Sequence, residues 1–178
     1  MRRTTDDVTS TPARSRWRVV RPWLGIAARF GLAAVFLLAG ASKVGDLAAS
    51  GRAVNAYRLM PYELAAVIGA ALPFVELALG VLLLLGLATR LAAGVAAGLL
   101  VIFIAGIGSA WARGLAIDCG CFGSGGELPA GQTPGYGWEV LRDLGFLVLA
   151  GFLLHSPLTP VWVDHWLAVG DRLEGDDE

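Results

Sequence analysis

Four apolar blocks, each long enough to cross a bilayer, govern what this chain can fold into. A helix needs about 20 largely apolar residues to span the hydrocarbon core. Inside lipid only helices or closed barrels satisfy their own backbone hydrogen bonds. The first block runs from Trp23 to Ala41 and carries one charge, Arg29. The second runs from Tyr62 to Leu87 and contains Pro73 and Glu76. The third, Leu91 to Trp111, has no charge. The fourth, Trp138 to His155, has Arg142 and Asp143 near one end, within reach of the interface. With 178 residues, 56% of them hydrophobic, there is room for one domain, and the blocks assign it to a membrane rather than to a large aqueous core. The expected fold class is all-α, an integral membrane four-helix bundle. A net charge of −1 argues against nucleic acid as a partner.

Charge placement gives an orientation. Arg2, Arg3, Arg14, Arg16, Arg18 and Arg21 precede the first block, which by the positive-inside rule puts the start in the cytoplasm. Four crossings then make both termini cytoplasmic and leave residues 112–137 on the extracytoplasmic side of the cell membrane. Trp23 at one boundary, and Tyr62, Trp111 and Trp138 at the other, fit an aromatic belt. Ala39-Gly40-Ala41 matches a signal-peptide cleavage site, but the long apolar stretch interrupted by Arg29 reads as a retained span. Three regions follow: a basic, mobile tail (1–22), a four-span membrane domain (23–155), and a short amphipathic helix with an acidic tail (156–178). In the last, Trp162, Trp166, Val169 and Leu173 recur on one helical face. Half of the 24 glycines are spread through the apolar blocks, as in closely packed membrane helices; Gly94 and Gly98 form a GxxxG pair, which ordinary glycine abundance here also explains.

The only two cysteines are one residue apart, in Asp118-Cys119-Gly120-Cys121-Phe122-Gly123, between the third and fourth blocks. On this topology they face the oxidising side, where disulfide chemistry belongs. Closing so small a ring requires a bend, which Gly120 permits. A strained, exposed bond is easier to reduce than a relaxed one. Cys119 and Cys121 are therefore candidates for a redox pair. A static bridge and a soft-metal site remain open; two thiolates do not complete a tetrahedral zinc site, and no metal is assigned. Asp118 disfavours a thiolate beside it, an effect that Lys43, Arg113 or Arg142 would offset from above the loop.

Glu76, deep in the second block, needs a partner facing the interior, and Arg29 is the candidate. Its functional reading is proton handling linked to thiol chemistry or to a bound quinone; the plainer one is a buried ion pair, or a protonated glutamate, that fixes packing. Lys43, just past the first block, either supports a thiolate or quinone head group or snorkels to the interface, the commoner behaviour. Arg142 and Asp143 are placed to cap the cysteine loop or to pair with Lys43.

The order Gly40-Ala41-Ser42-Lys43, Leu72-Pro73-Phe74-Val75-Glu76, Cys119-Gly120-Cys121-Phe122-Gly123 and Arg142-Asp143 resembles the MauE branch of the DoxX-like membrane proteins. The resemblance covers about Trp23 to His155. It implies a small four-helix protein of extracytoplasmic redox maturation, associated with methylamine utilisation. It also implies a thioredoxin-like partner, MauD, and a role in forming the disulfides of the methylamine dehydrogenase small subunit. By that likeness Cys119 and Cys121 are the redox pair. Relatives often have Asn where this chain has Asp143. With one cysteine pair, the chain needs a partner protein, a quinone, or both. The alternatives of another class are a non-enzymatic assembly or scaffold subunit, with the loop as docking surface, and a soft-metal binding or transport protein.

Overall fold

The computed structural model describes residues 12–121 and 125–155. Among them are five helices: α1 (Pro12–Val44), α2 (Leu47–Ala56), α3 (Tyr62–Leu85), α4 (Thr89–Ala112) and α5 (Tyr136–His155). A short antiparallel ribbon pairs β1 (Ile117–Asp118) with β2 (Gly126–Glu127). Three helices are long and apolar enough to cross a membrane: Trp23–Val44 within α1, α3 and α4. The expected fourth span is a continuous helix, α5, but Glu139, Arg142 and Asp143 near its start keep it from the same standard. The protein is an all-α membrane protein apart from the ribbon.

The distribution of polarity supports the membrane setting. Phe30, Leu38, Val67, Phe74, Ile102 and Val148 face outward, whereas Arg29, Lys43, Glu76 and Asp143 are buried. A water-soluble protein shows the reverse, keeping charge outside. In lipid, ionisable groups turn inward and bulky apolar groups turn out. Trp111 and Trp138 stand exposed at one end of the helices, and Trp23 at the other.

The helices alternate in direction. α1 packs along α3 and α4 along α5, and α1 also meets α5. Leu32 and Phe36, Leu79 and Leu83, Ala92 and Ala96, and Ala150 and Leu153 supply one core from all four. A second cluster, Ala56, Ile107, Ala110, Ile117 and Tyr136, fills the end beneath the cysteine loop. The turn from α3 to α4 is tight. Gly86 takes a left-handed conformation (φ 70°), and Leu87 N–H reaches back to the Leu82 carbonyl, closing the helix end.

Two sequence expectations change. The first concerns the amino-terminal tail. Helix α1 begins at Pro12, so residues 12–22 extend the first helix rather than forming part of a separate mobile tail. Proline is well placed there, because the first helical turn needs no N–H from it. The second concerns α2, which was not expected. Asp46 caps it, accepting a hydrogen bond from Ala49 N–H at 2.8 Å, and an aspartate directly before Leu47-Ala48-Ala49 was the available signal. The expected amphipathic segment Trp162–Leu173, the acidic tail, residues 1–11, and Phe122 with Gly123 lie outside the described residues.

Close approach falls on glycines other than the GxxxG pair. A Cβ at Gly98 would meet nothing within 4 Å. One at Gly40 would sit 2.8 Å from the Pro73 carbonyl oxygen, and one at Gly69 would lie 2.6 Å from the Gly51 Cα. The tight seams are therefore α1 on α3 and α2 on α3. Gly69→Ala is expected to destabilise the protein by about 1–3 kcal/mol through overpacking against backbone, while Gly98→Ala is neutral or stabilising. Thermal unfolding of both variants in detergent checks the contrast.

Candidate functional site

The site is built at the end of the molecule where α1 finishes, α2 lies across, α3 begins, α4 finishes and α5 starts. Cys119 and Cys121 are joined as a disulfide, with Cα atoms 5.5 Å apart. Gly120 has φ 70° and Gly125 φ 46°, values that suit residues without a side chain. Their backbones lie against each other and on Ala53 of α2: a Cβ added at Gly120 would come within 3.0 Å of the Gly125 Cα and 3.4 Å of the Ala53 Cβ. The loop thus folds back over α2.

Several polar contacts hold it there. Tyr57, just past α2, donates its hydroxyl to the Cys119 carbonyl at 3.2 Å. Burial first, and then the nearby carboxylate of Glu139, push the Tyr57 hydroxyl well above its ordinary pKa, so it remains a donor. Tyr136 accepts from Ile117 N–H at 3.2 Å and donates to the Leu115 carbonyl. Glu139 of α5 lies close to the Cys119 backbone and to Asp118 and Asp143. Arg113 turns away from the cysteines and donates to the Tyr57 carbonyl at 2.5 Å and to the Arg58 carbonyl at 3.4 Å. An exposed Arg58–Glu127 pair (2.9 Å) ties the end of α2 to β2.

Asp143 comes to the cysteines from α5. A carboxylate oxygen of Asp143 and the two sulfurs all lie within 4.8 Å of one another. Asp143 Oδ1 accepts from Arg142 Nε at 3.0 Å and Nη2 at 2.9 Å, while its buried Oδ2 has no hydrogen-bond partner among the described residues. Arg142 therefore pairs with Asp143, and the expected alternative, a pair with Lys43, is not formed.

Lys43 is engaged elsewhere. Its Nζ donates to Glu76 Oε1 at 2.7 Å and to Oε2 at 3.0 Å, with the residues 6% and 1% exposed. This corrects two expectations. Lys43 does not snorkel, and Glu76 is not paired with Arg29. The reason is distance along the helix. Arg29 lies fourteen residues before Lys43 on α1, about 21 Å away at 1.5 Å per residue. A helical side chain also slants toward its own amino terminus, which lowers the Lys43 ammonium from the helix end onto Glu76. Arg29 is itself buried, with its guanidinium carbon 5.0 Å from the Phe30 ring centre and its Nε without a hydrogen-bond partner among the described residues.

A cavity of about 330 Å³ joins these groups. Lys43, Tyr57, Leu72, Phe103, Cys119 and Cys121 are among the residues that line it, so the ion pair's lysine and the disulfide share one space. The structure brings together Cys119, Cys121, Asp143 and Arg142 on one side of the loop and Lys43 with Glu76 on the cavity side. Arg29 stays apart. Tyr57, Tyr136 and Glu139 were missed from the sequence; only their position beside the loop in space marks them, and Tyr136 and Glu139 alone had the hint of lying at the start of a span.

Comparison with known proteins fits this arrangement. Residues 21–156 match the family model described as Methylamine utilisation protein MauE, and the chain belongs to that family. The broader DoxX-like grouping is compatible with the match. No curated protein matches the chain, and no solved structure does.

Two outcomes follow from the geometry. Glu76→Gln or Lys43→Met alone is expected to cost about 3–5 kcal/mol, because each leaves a buried charge unpaired. The double variant Lys43→Met/Glu76→Leu should recover much of that loss, as read by thermal unfolding in detergent. In a spectrophotometric pH titration, a tyrosinate component should appear above the ordinary value of 10.0 and vanish in Tyr57→Phe. The Tyr57 hydrogen bond should contribute its full stability below pH 10.0 and lose it as pH rises through the higher folded-state value.

Proposed function

We propose that this protein is a membrane thiol–disulfide exchange component whose working group is the Cys119–Cys121 pair, acting with a thioredoxin-like protein on the extracytoplasmic side. The observation that carries the reading is the joining of the two cysteines in a loop against a cavity, with the unpartnered carboxylate oxygen of a buried aspartate in the same group. In this reading α1, α3, α4 and α5 are four spans of a membrane domain over residues 23–155, both termini are cytoplasmic, and the loop lies outside. The basic residues at the start and the exposed Trp111 and Trp138 at the loop end support that orientation. Family membership supports a setting in methylamine utilisation.

The exchange runs in two displacements. A thiolate of the partner attacks one sulfur of the pair, the S–S bond breaks, and a mixed disulfide forms while the second cysteine leaves as thiolate. The partner's other thiolate then attacks the mixed disulfide. The partner ends oxidised by two electrons, and the pair ends as a dithiol. Asp143 is placed to pass protons to and from the pair, and Arg142 holds its carboxylate in position.

A second reading draws on the same cluster: once reduced, two thiolates and the Asp143 carboxylate offer three ligands to a soft or borderline metal. The two readings separate experimentally. Cys121→Ser should trap a thioredoxin-like protein as a mixed disulfide in membranes, and the trapped species should disappear with Cys119→Ser/Cys121→Ser. Asp143→Asn should slow exchange by about 10²-fold and flatten its pH profile, with partial rescue by Asp143→Glu. Stoichiometric metal on the reduced protein, with no mixed disulfide, would favour the metal reading instead.

A further inference from the structure

We propose that the cavity between α2, α3 and α4 binds a quinone from the bilayer, and that this quinone reoxidises the Cys119–Cys121 dithiol. The inference rests on the exchange reading and names the electron acceptor for the same site.

Four observations point to that ligand. The first is access. Leu59 and Ile102 line the cavity and are themselves 55% and 65% exposed, so its mouth reaches the outer face of the helices. Ile102 lies within a helix apolar enough to cross the membrane, which makes the approach one from lipid. The second is lining. Apart from a few polar groups the walls are aliphatic and aromatic, including Leu72, Leu99 and Phe103. A volume of about 330 Å³ is in the range of small-molecule sites. The third is the pair of cysteines in the wall, which fixes the reaction as a transfer of two electrons. The fourth is Lys43. An ammonium has three N–H donors, and Glu76 takes two through its two oxygens. The third is available to a carbonyl oxygen in the cavity that Lys43 lines.

A ligand that arrives through lipid, takes two electrons and two protons, and presents a carbonyl oxygen to an ammonium is a quinone. The balance is complete. Two S–H bonds are lost and one S–S bond forms at Cys119–Cys121. The electron pair and two protons go to the quinone oxygens, giving quinol, which leaves the way the quinone came. The Lys43–Glu76 pair stays charge-neutral while its third donor stabilises the oxygen on which negative charge develops.

The test uses the full chain purified in detergent, reduced with dithiothreitol and freed from it. Decylubiquinone is added, quinol formation is followed by absorbance, and remaining thiols are counted with a maleimide. Two thiols should be lost per quinol formed. Leu99→Trp and Ile102→Trp each fill the cavity from α4, away from Tyr57 and the cysteine loop, and each should slow the reaction by about tenfold or more. Either variant serves if the other does not fold. Absence of quinol, or equal rates in the wild type and both filled variants, overturns the proposal and leaves the cavity to a lipid chain. Exchange of the wild-type protein with reduced thioredoxin is measured on the same preparation. Exchange without quinol formation sinks this inference alone; quinol formation without exchange sinks the protein-partner reading and upholds the quinone.

Discussion

Two opposite charges inside an apolar bundle persist only by neutralising one another, and the Lys43–Glu76 pair sets that condition for this protein. Each ion carries a desolvation cost of several kcal/mol, which the partner offsets only in close, hydrogen-bonded geometry. Both carboxylate oxygens of Glu76 accept from the same ammonium. The pair therefore fixes the height of α1 against α3, a register also imposed by Gly40 on the Pro73 carbonyl and by Gly80 against Leu37. With α1 and α3 locked, α2 is seated on α3 through Gly51 and Gly69, and α2 is the floor on which the cysteine loop rests.

The loop is held by the protein around it rather than by its own short ribbon. Gly120 and Gly125 let two stretches of backbone press together on Ala53, and Tyr57 donates its hydroxyl to the Cys119 carbonyl. The outcome is a disulfide placed by main-chain contacts, with Asp143 brought in on a separate helix. Holding the loop falls to Tyr57, Tyr136 and the backbone of α2, whereas Asp143 keeps one carboxylate oxygen without a hydrogen-bond partner among the described residues; in the proposed exchange that oxygen would carry the proton.

Much of this was legible in the sequence, because membrane spans announce themselves by length and apolarity. The segments from Tyr62 and Leu91 appear as helices near their expected limits, and α5 appears where the fourth span was expected. The cysteine pair was legible as a motif. What escaped was geometry that depends on helix length and direction. Ending the first span at Ala41 put Lys43 in the interface; three more helical residues and the slant of its side chain place it against Glu76 instead. Helix α2 escaped because ten residues between spans carry no membrane signal, and only Asp46 marked its start. The GxxxG pair did not mark the tight seams, since a spacing does not say which face of a helix meets a neighbour; among the described residues a Cβ at Gly98 would meet nothing within 4 Å, in keeping with ordinary glycine abundance.

The account turns on whether the cysteine pair is a working redox couple on the outer side of the membrane. The direct measurement is a thiol-trapping redox titration in native membranes with an impermeant maleimide, applied before and after mild reduction. The account predicts no labelling as isolated, two thiols labelled from outside after reduction, and a midpoint near that of thioredoxin-like exchange proteins. Thiols that label only after the membrane is opened, that are already reduced and shielded by metal, or a bond that resists every mild reductant, would contradict it.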